Sequence, residues 1–568
     1  MITDDFYKSP FYRLLTFVTS NFKRIRNMRK LVKLIMLVFV ILFVVFPCKA
    51  EGYGKYYQGL PFDIPKAVTP AIPELEVSLA EYGGVGNGMT LNTQAFAAAI
   101  ADLSERGGGH LIVPEGIWLT GPIVLKSNID LHVLKNAIVL FTPDKTQYPL
   151  LSPDEGTSGS RCQSPISAYH ESNFSITGEG VFDGNGEFWR PVKRFKVSNA
   201  EWNSFIKTGG TVQQDGAIWY PETSSEKLAK KRPRMVRFVR CERVLLQGVV
   251  FQNSPSFHVN FILSDNIVVD GIMVRCPWNA QNGDGIDLSS CTNALIVNCA
   301  VDAGDDAICL KSGIGDVGRR RGPCANIIID NCTVFHGHGG FVIGSDTGGG
   351  IDRVSVRNCR FIDTDTGLRF KSKRGRGGVV SNVYVDNIMM NDIANYAIWF
   401  DSYYQEKTPE PDGIPEGGEM TDVPFMPVTD DTPCFQDIHI SNITCRDAGR
   451  AMFFNGLPEM NVSNVSLTDC MIHSVAGAQV DETCGLRMEN IHLDVAEGPV
   501  LSFNNSKDIE VKDLVYARNG EQKVRVSGSR NRNIKIKGGK FCIDDVLFTP
   551  KAKKAITVSY THLTLPTS

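Results

Sequence analysis

"IIIDNCTV" (327–334) and "VSVRNCRF" (354–361) are two copies of one eight-residue pattern. Each places apolar residues at alternate positions, reaches an Asn, and steps on into a second apolar pair. Alternation of that kind is the period of a strand with one buried face. The pattern returns at "VLLQGVVF" (244–251), "IVVDGIMV" (267–274), "LIVNCAV" (295–301), "VYVDNIMM" (383–390), "IHISNITC" (438–445) and "VSLTDCMI" (465–472). Measured between Gly248, Gly271, Asn298, Asn331, Asn358 and Asn387, the steps are 23, 27, 33, 27 and 29 residues. Short strands at that period, with almost no helical patterning, are the mark of stacked coils. They predict an all-β fold, a right-handed parallel β-helix. A leucine-rich repeat would need a Leu framework that is absent, and a sandwich would need regular hairpin turns.

One helix interrupts the pattern. "LNTQAFAAAIADLSERGGG" (91–109) sets Ala95, Phe96, Ala99, Ile100 and Leu103 on one face, with Asn92 as N-cap and Gly107 as the stop. It is expected to cap the N-terminal end of the stack, where strand edges would otherwise be unpaired. "GGVGNG" (83–88), just before it, reads as turn residues, because a phosphate-binding loop would add a Lys in a strand–loop–helix setting. Insertions at about 189–232 and 403–434 break the coil rhythm and are expected to be rim or binding elements, the second equally well plain surface decoration.

The chain has 568 residues and a formal net charge of -3, which gives no electrostatic ground for a nucleic-acid partner. A basic stretch beginning at Met28 leads into an apolar run over 34–46. That run is short for a bilayer span and has the proportions of a signal peptide cleaved after Ala50. The protein is then exported, periplasmic or secreted, with no membrane partner after cleavage; a membrane anchor, or a lipoprotein site at Cys48, are the other readings. Residues 1–27 read as an upstream extension, 51–74 as a linker and 75–557 as the catalytic domain. The tail "VSYTHLTLPTS" (558–568) resembles translated adaptor sequence. Of 15 cysteines, Cys299, Cys332, Cys359 and Cys470 occupy equivalent repeat positions, which predicts stacked buried thiols. No CxxC pair is present, so no structural zinc site is expected. Oligomeric state is left open.

The chemistry concentrates in "NGDGIDLSSC" (282–291) and "GDDAICLKSG" (304–313). If Leu288, Leu310, Ile343, Phe370 and Phe400 stack inward, then Asp284, Asp306, Gly339, Thr366 and Tyr396 form a second column four places earlier. Neighbouring strands lie about 4.8 Å apart, so Asp284 and Asp306 become neighbours and His338 lies one coil further. Asp305 joins them only if the chain bends after Gly304. Arg369 and Lys371 flank inward Phe370 and are expected on the outer surface. Carboxylates this close cannot all ionise freely, so one holds its proton beside an ionised partner, the pairing that glycosidic cleavage needs. A solvated acidic ladder or a calcium site would use the same side chains. His336 with His338 makes an HxH pair without a third metal ligand. His258 reads as a packed strand histidine or the border of a sugar subsite, and Lys311 as a substrate contact or a solvated charge.

"NGDGID" (282–287), "GDD" (304–306), "GHG" (337–339) and "RFK" (369–371) resemble the four signature motifs of glycoside hydrolase family 28, the polygalacturonases and relatives, in order and spacing. The likeness runs from about 75 to 540; Gly283 and Phe370 depart from the usual residues. "NYAIWFDS" (395–402) is similar to the strand that carries the family's active-site tyrosine, here Tyr396. The resemblance implies an inverting hydrolase of α-1,4-linked galacturonic acid that needs no cofactor or metal. Asp305 would be the general acid, Asp284 and Asp306 would hold and activate water, and His338 would tune the acid. Arg369 and Lys371 would grip the sugar carboxylate in the subsite lined by Tyr396. The implied partner is a pectic polysaccharide or oligogalacturonide, attacked from chain ends if the insertions wall off the groove. A rhamnogalacturonan or xylogalacturonan hydrolase is the alternative within the family. A calcium-dependent pectate lyase and a non-catalytic polysaccharide-binding β-helix are the rivals outside it.

Overall fold

The structure, a computed structural model, describes residues 52–153, 159–221, 231–406, 423–516, 524–538, 543–549, 552 and 555–559. The apolar run 34–46, Cys48, Ala50 and residues 560–568 lie outside them. The chain divides into two units, Met1–Gly59 and Leu60–Ser568. The first carries the short 3-10 turn Tyr53–Tyr57; the second carries everything that follows.

Each coil turns where the repeat shows Gly or Asn, and the backbone explains why. Asn298, Asn331, Asn358 and Asn387 have φ of 58°, 54°, 56° and 54°, while Gly248 and Gly271 have 78° and 63°. That left-handed region is closed to most L-residues and open to Gly and Asn. Stacked one coil apart, the carboxamides also bond to one another. Asn331 Nδ2 donates to Asn298 Oδ1 at 2.8 Å, and Asn387 Nδ2 to Asn358 Oδ1 at 2.8 Å.

The repeat period is the coil length. Val244 pairs in parallel with Ile267, and the column continues through Ala294, Ile327, Val354, Val383, Ile438 and Val465. Parallel crossovers of this kind are right-handed, and the fold is the right-handed parallel β-helix expected. Inside runs one apolar cluster. Phe370 stacks on Phe400 with centroids 4.4 Å apart, and Phe400 on Phe454 at 4.7 Å. Cys299, Cys332 and Cys359 are buried free thiols immediately before the aligned Ala300, Thr333 and Arg360. Cys470 joins their column beyond Ile388 and Ile443.

The helix Thr93–Glu105 forms and buries the five residues expected. Asn92 differs from expectation: its side chain makes no capping bond. Almost fully buried, it accepts from Val85 N at 2.7 Å and donates to the carbonyls of Val85, Thr90 and Leu119. Its hydrogen bonds are spent holding the 83–88 loop, which is turn structure and presses Gly86 so close to Trp118 that a Cβ would sit 2.9 Å from the ring.

Within the first insertion, Val192–Lys193, Thr211–Gln213 and Ile218–Tyr220 form a small antiparallel sheet. The helix Asn199–Lys207 begins at a capping box of Ser198 and Glu201. Val192, Val197, Trp202 and Trp219 give this element a core of its own. No described helix is long and apolar enough to cross a membrane.

Candidate active site

Leu288, Leu310, Ile343, Phe370 and Phe400 stack as one buried column. Asp306 aligns with Gly339, and Thr366 with Tyr396; Gly285 N donates to Asp306 O at 2.9 Å, which places Asp284 beside Asp306. The bend that Asp305 requires is present at Gly304–Asp305. A second irregularity follows it. Ala307 and Ile308 both enter the core, so alternation is broken and Asp306 stays on the outer side with Cys309, whose thiol lies 3.8 Å from its carboxylate.

One oxygen from each of Asp284, Asp305 and Asp306 lies within 4.8 Å of the others. Their surroundings separate them. Lys371 Nζ donates to Asp306 Oδ2 at 2.6 Å, and Arg369 Nη1 lies 3.5 Å from Oδ1. Burial alone would raise the Asp306 pKa, but Lys371, Arg369 and Lys311 hold it well below the usual carboxylate range. Lys311 Nζ lies 3.2 Å from Asp284 Oδ2 and also pairs with Asp287. Burial pushes Asp284 well above the usual range, with Lys311 pulling against it and Asp287, Asp305 and Asp306 adding to it. Lys311 in turn keeps its proton against desolvation, because it lies against the carboxylates of Asp287 and Asp284. Asp284 Oδ1 and Asp306 Oδ1 are buried acceptors with no hydrogen-bond donor among the described residues.

Asp305 is the accessible member, its side chain 17% exposed against 5% for Asp284 and 4% for Asp306. Its Oδ1 accepts from Asp306 N at 3.1 Å and lies 3.5 Å from His338 Nδ1. His338 N donates to Asp305 O at 2.8 Å. The three carboxylates could also surround a cation, but the ammonium groups on Asp284 and Asp306 already supply compensating charge.

The two basic residues take the outward face that alternation predicts, but neither is a solvated surface charge. Lys371 is 3% exposed, and Arg369 donates to His338 O at 3.3 Å with its guanidinium 5.0 Å from the Trp399 ring centroid. They face outward, but Tyr404, at the entry to the second insertion, covers both. Lys311 is likewise no freely solvated charge, since it is half-buried and paired with Asp284 and Asp287. Tyr396 stands about 14 Å along the stack from Asp306 at the usual strand spacing. Its ring lies 4.7 Å from that of Trp399, which links it to Arg369. It opens a groove of about 590 Å³ lined further by Arg450, Gln479, Glu497, Ser502 and Arg525.

His258 is the packed histidine. Fully buried, it lies with Nδ1 2.9 Å from Asp284 O, and burial pushes its pKa down to about 4. His336 bridges Asp302 and Asp363 at 2.9 and 3.2 Å. Two participants had not been singled out from the sequence. Asp287 is the second partner of Lys311. Lys196, from the first insertion, brings Nζ within 3.3 Å of His338 Nε2; its only signal was a basic stretch inside an interruption of the coils.

The family model "Glycosyl hydrolases family 28" matches residues 193–449. The chain is 30% identical to the solved exopolygalacturonase of Thermotoga maritima, over 75% of this chain and 94% of that one, with a TM-score of 0.62. It is 29% identical to a probable polygalacturonase of Vitis vinifera, covering 72% of this chain and 76% of that protein. It is 27% identical to the exo-poly-alpha-D-galacturonosidase of Dickeya chrysanthemi, over 71% and 70%.

Proposed function

The chain belongs to glycosyl hydrolases family 28, and from that premise we propose that it hydrolyses α-1,4-galacturonosyl linkages of pectin, releasing product from chain ends. The observation that carries the reading is the divided carboxylate cluster. Asp306 is held ionised by Lys371 and Arg369, Asp284 is raised by burial, and Asp305 lies open to a ligand beside His338.

Asp305 donates the proton to the leaving oxygen, and His338 orients it. Asp284 and Asp306, neighbours on adjacent coils, hold the attacking water between their carboxylates. Asp284, with its raised affinity for a proton, accepts one from the water as it adds. Arg369 presents a planar fork to the sugar carboxylate, and Lys371 adds a second positive charge from beneath Asp306. Spacing alone would favour retention, because inverting pairs usually stand about 6.5–9.5 Å apart. Two carboxylates sharing one water favour inversion, and the anomer first released decides between them. Action at chain ends is supported by asymmetry: the first insertion reaches His338 on one side, while the groove beyond Tyr396 continues on the other. Polymeric pectin is met outside the cytoplasm, so the run 34–46 is proposed as an export signal.

Polygalacturonate, rhamnogalacturonan and short oligogalacturonides, each with and without chelator, test the assignment. Short saturated galacturonides should accumulate from the start while viscosity falls slowly, and chelator should change nothing. Asp305→Asn should lower kcat by about 10²- to 10⁴-fold with little change in KM. A calcium requirement, an unsaturated product, or cleavage of rhamnogalacturonan alone overturns it.

A further inference from the structure

His338 meets two carboxylates, and which of them receives its proton depends on a residue that the coils do not supply. On one side Nδ1 lies 3.5 Å from Asp305 Oδ1; on the other, Nε2 lies 3.8 Å from Asp365 Oδ2 on the next coil. A neutral imidazole carries one ring proton, and either carboxylate would attract it. The third group is Lys196, which approaches Nε2 more closely than Asp365 does, at 3.3 Å. Arg369 meets His338 at its backbone carbonyl, away from the ring nitrogens. An ammonium can only donate, so Nε2 must offer it a lone pair, and the single proton is left at Nδ1, facing Asp305.

We propose that Lys196 is a positioning residue for the proton-donating machinery: it fixes His338 in the tautomer that presents Nδ1–H to Asp305. The first insertion is then a working part of the active site as well as a wall beside it. The inference rests on the acid role given to Asp305.

The segment around Lys196 is built to hold it still. Arg190 donates to Ser254 O at 2.6 Å and Asn253 Oδ1 at 2.8 Å, pinning the insertion where it leaves the coils. Lys196 closes the 3-10 turn Arg194–Lys196, and the next residue, Val197, enters the core of the insertion beside Trp202. Lys196 itself is 8% exposed. Burial, with Lys193 nearby, pulls its pKa below the ordinary value, and Asp305 and Asp365 resist that pull. The ammonium is thus kept beside His338 by the same carboxylates that compete for the imidazole proton.

Nitrogen-15 NMR of imidazole-labelled protein reads the tautomer directly. In the wild-type protein His338 Nε2 should resonate as an unprotonated acceptor and Nδ1 as protonated; a proton on Nε2 overturns the proposal whether or not any variant folds. In Lys196→Met, Nε2 no longer faces an ammonium and is free to donate to Asp365, so a proton should appear there, and kcat should fall on the order of tenfold with KM within about twofold. Lys196→Arg, which also can only donate, should restore the wild-type nitrogen shifts and most of kcat. Unchanged shifts in Lys196→Met, or a raised KM at unchanged kcat, overturn it. If Asp305→Asn keeps full kcat, the acid assignment fails while the tautomer measurement still reports on Lys196.

Discussion

Asp284 and Asp306 bear the same side chain one coil apart, and their surroundings drive them in opposite directions. Both are buried; what differs is the cation each receives. Asp306 has Lys371 at 2.6 Å with Arg369 behind it, whereas Asp284 shares Lys311 with Asp287. A base must be ionised, so activity rises as pH climbs through its pKa. Lys311 lowers the Asp284 value, so Lys311→Met should raise it further. The rising limb of kcat/KM against pH should therefore move upward by about one unit or more. A limb that stays in place, or moves down, would show that Asp284 is not the base. At this scale the sequence displayed the carboxylates, the histidine and both flanking cations. It could not display Lys311 between Asp284 and Asp287, because that contact depends on which way a strand faces after an irregularity.

Among the elements, the turns were the most legible, since one physical rule acts at every coil. Asn331 adopts φ 54°, donates to Asn298 and is followed by buried Cys332. Asn331→Ala should destabilise the protein by about 1–2 kcal/mol, since alanine strains in that region. Asn331→Gly should cost less, because glycine accepts the backbone and forfeits only the carboxamide ladder. Denaturant titration of the two variants measures the difference, and equal losses would mean that the ladder, not the backbone, matters. The departures from the rule were illegible for the same reason. Nothing in "GDDAICLKSG" announces that Ala307 and Ile308 both turn inward. Asn92 reads as a helix cap until the 83–88 loop is seen to claim its side chain.

Across the whole molecule, stacking aligns residues far apart in sequence. Lys371, Asp401, Asn455, Asp481, Asn504 and Ser527 occupy successive positions of one column. Burial raises Asp481 to about 7 against the bond from Gln479. Between pH 4 and 7 the folded carboxyl therefore holds a proton that the unfolded chain has released. The folded state binds more protons, and stability falls as pH rises across that window, by roughly 4 kcal/mol for this group. Asp481→Asn should remove that slope, giving a flatter dependence of unfolding free energy on pH than the wild type; parallel curves would refute the buried, protonated state. By itself the sequence determined the architecture and the set of candidate site residues, because a repeated period, a turn residue that tolerates positive φ and motifs in fixed order are local properties of a chain. Only the tertiary structure decided which carboxylate receives the stronger cationic support, that Lys371 and Lys311 are ion-pair partners of the carboxylates, and that Lys196 reaches His338, because charge, burial and contact arise from side chains on different coils and from an insertion packed against them.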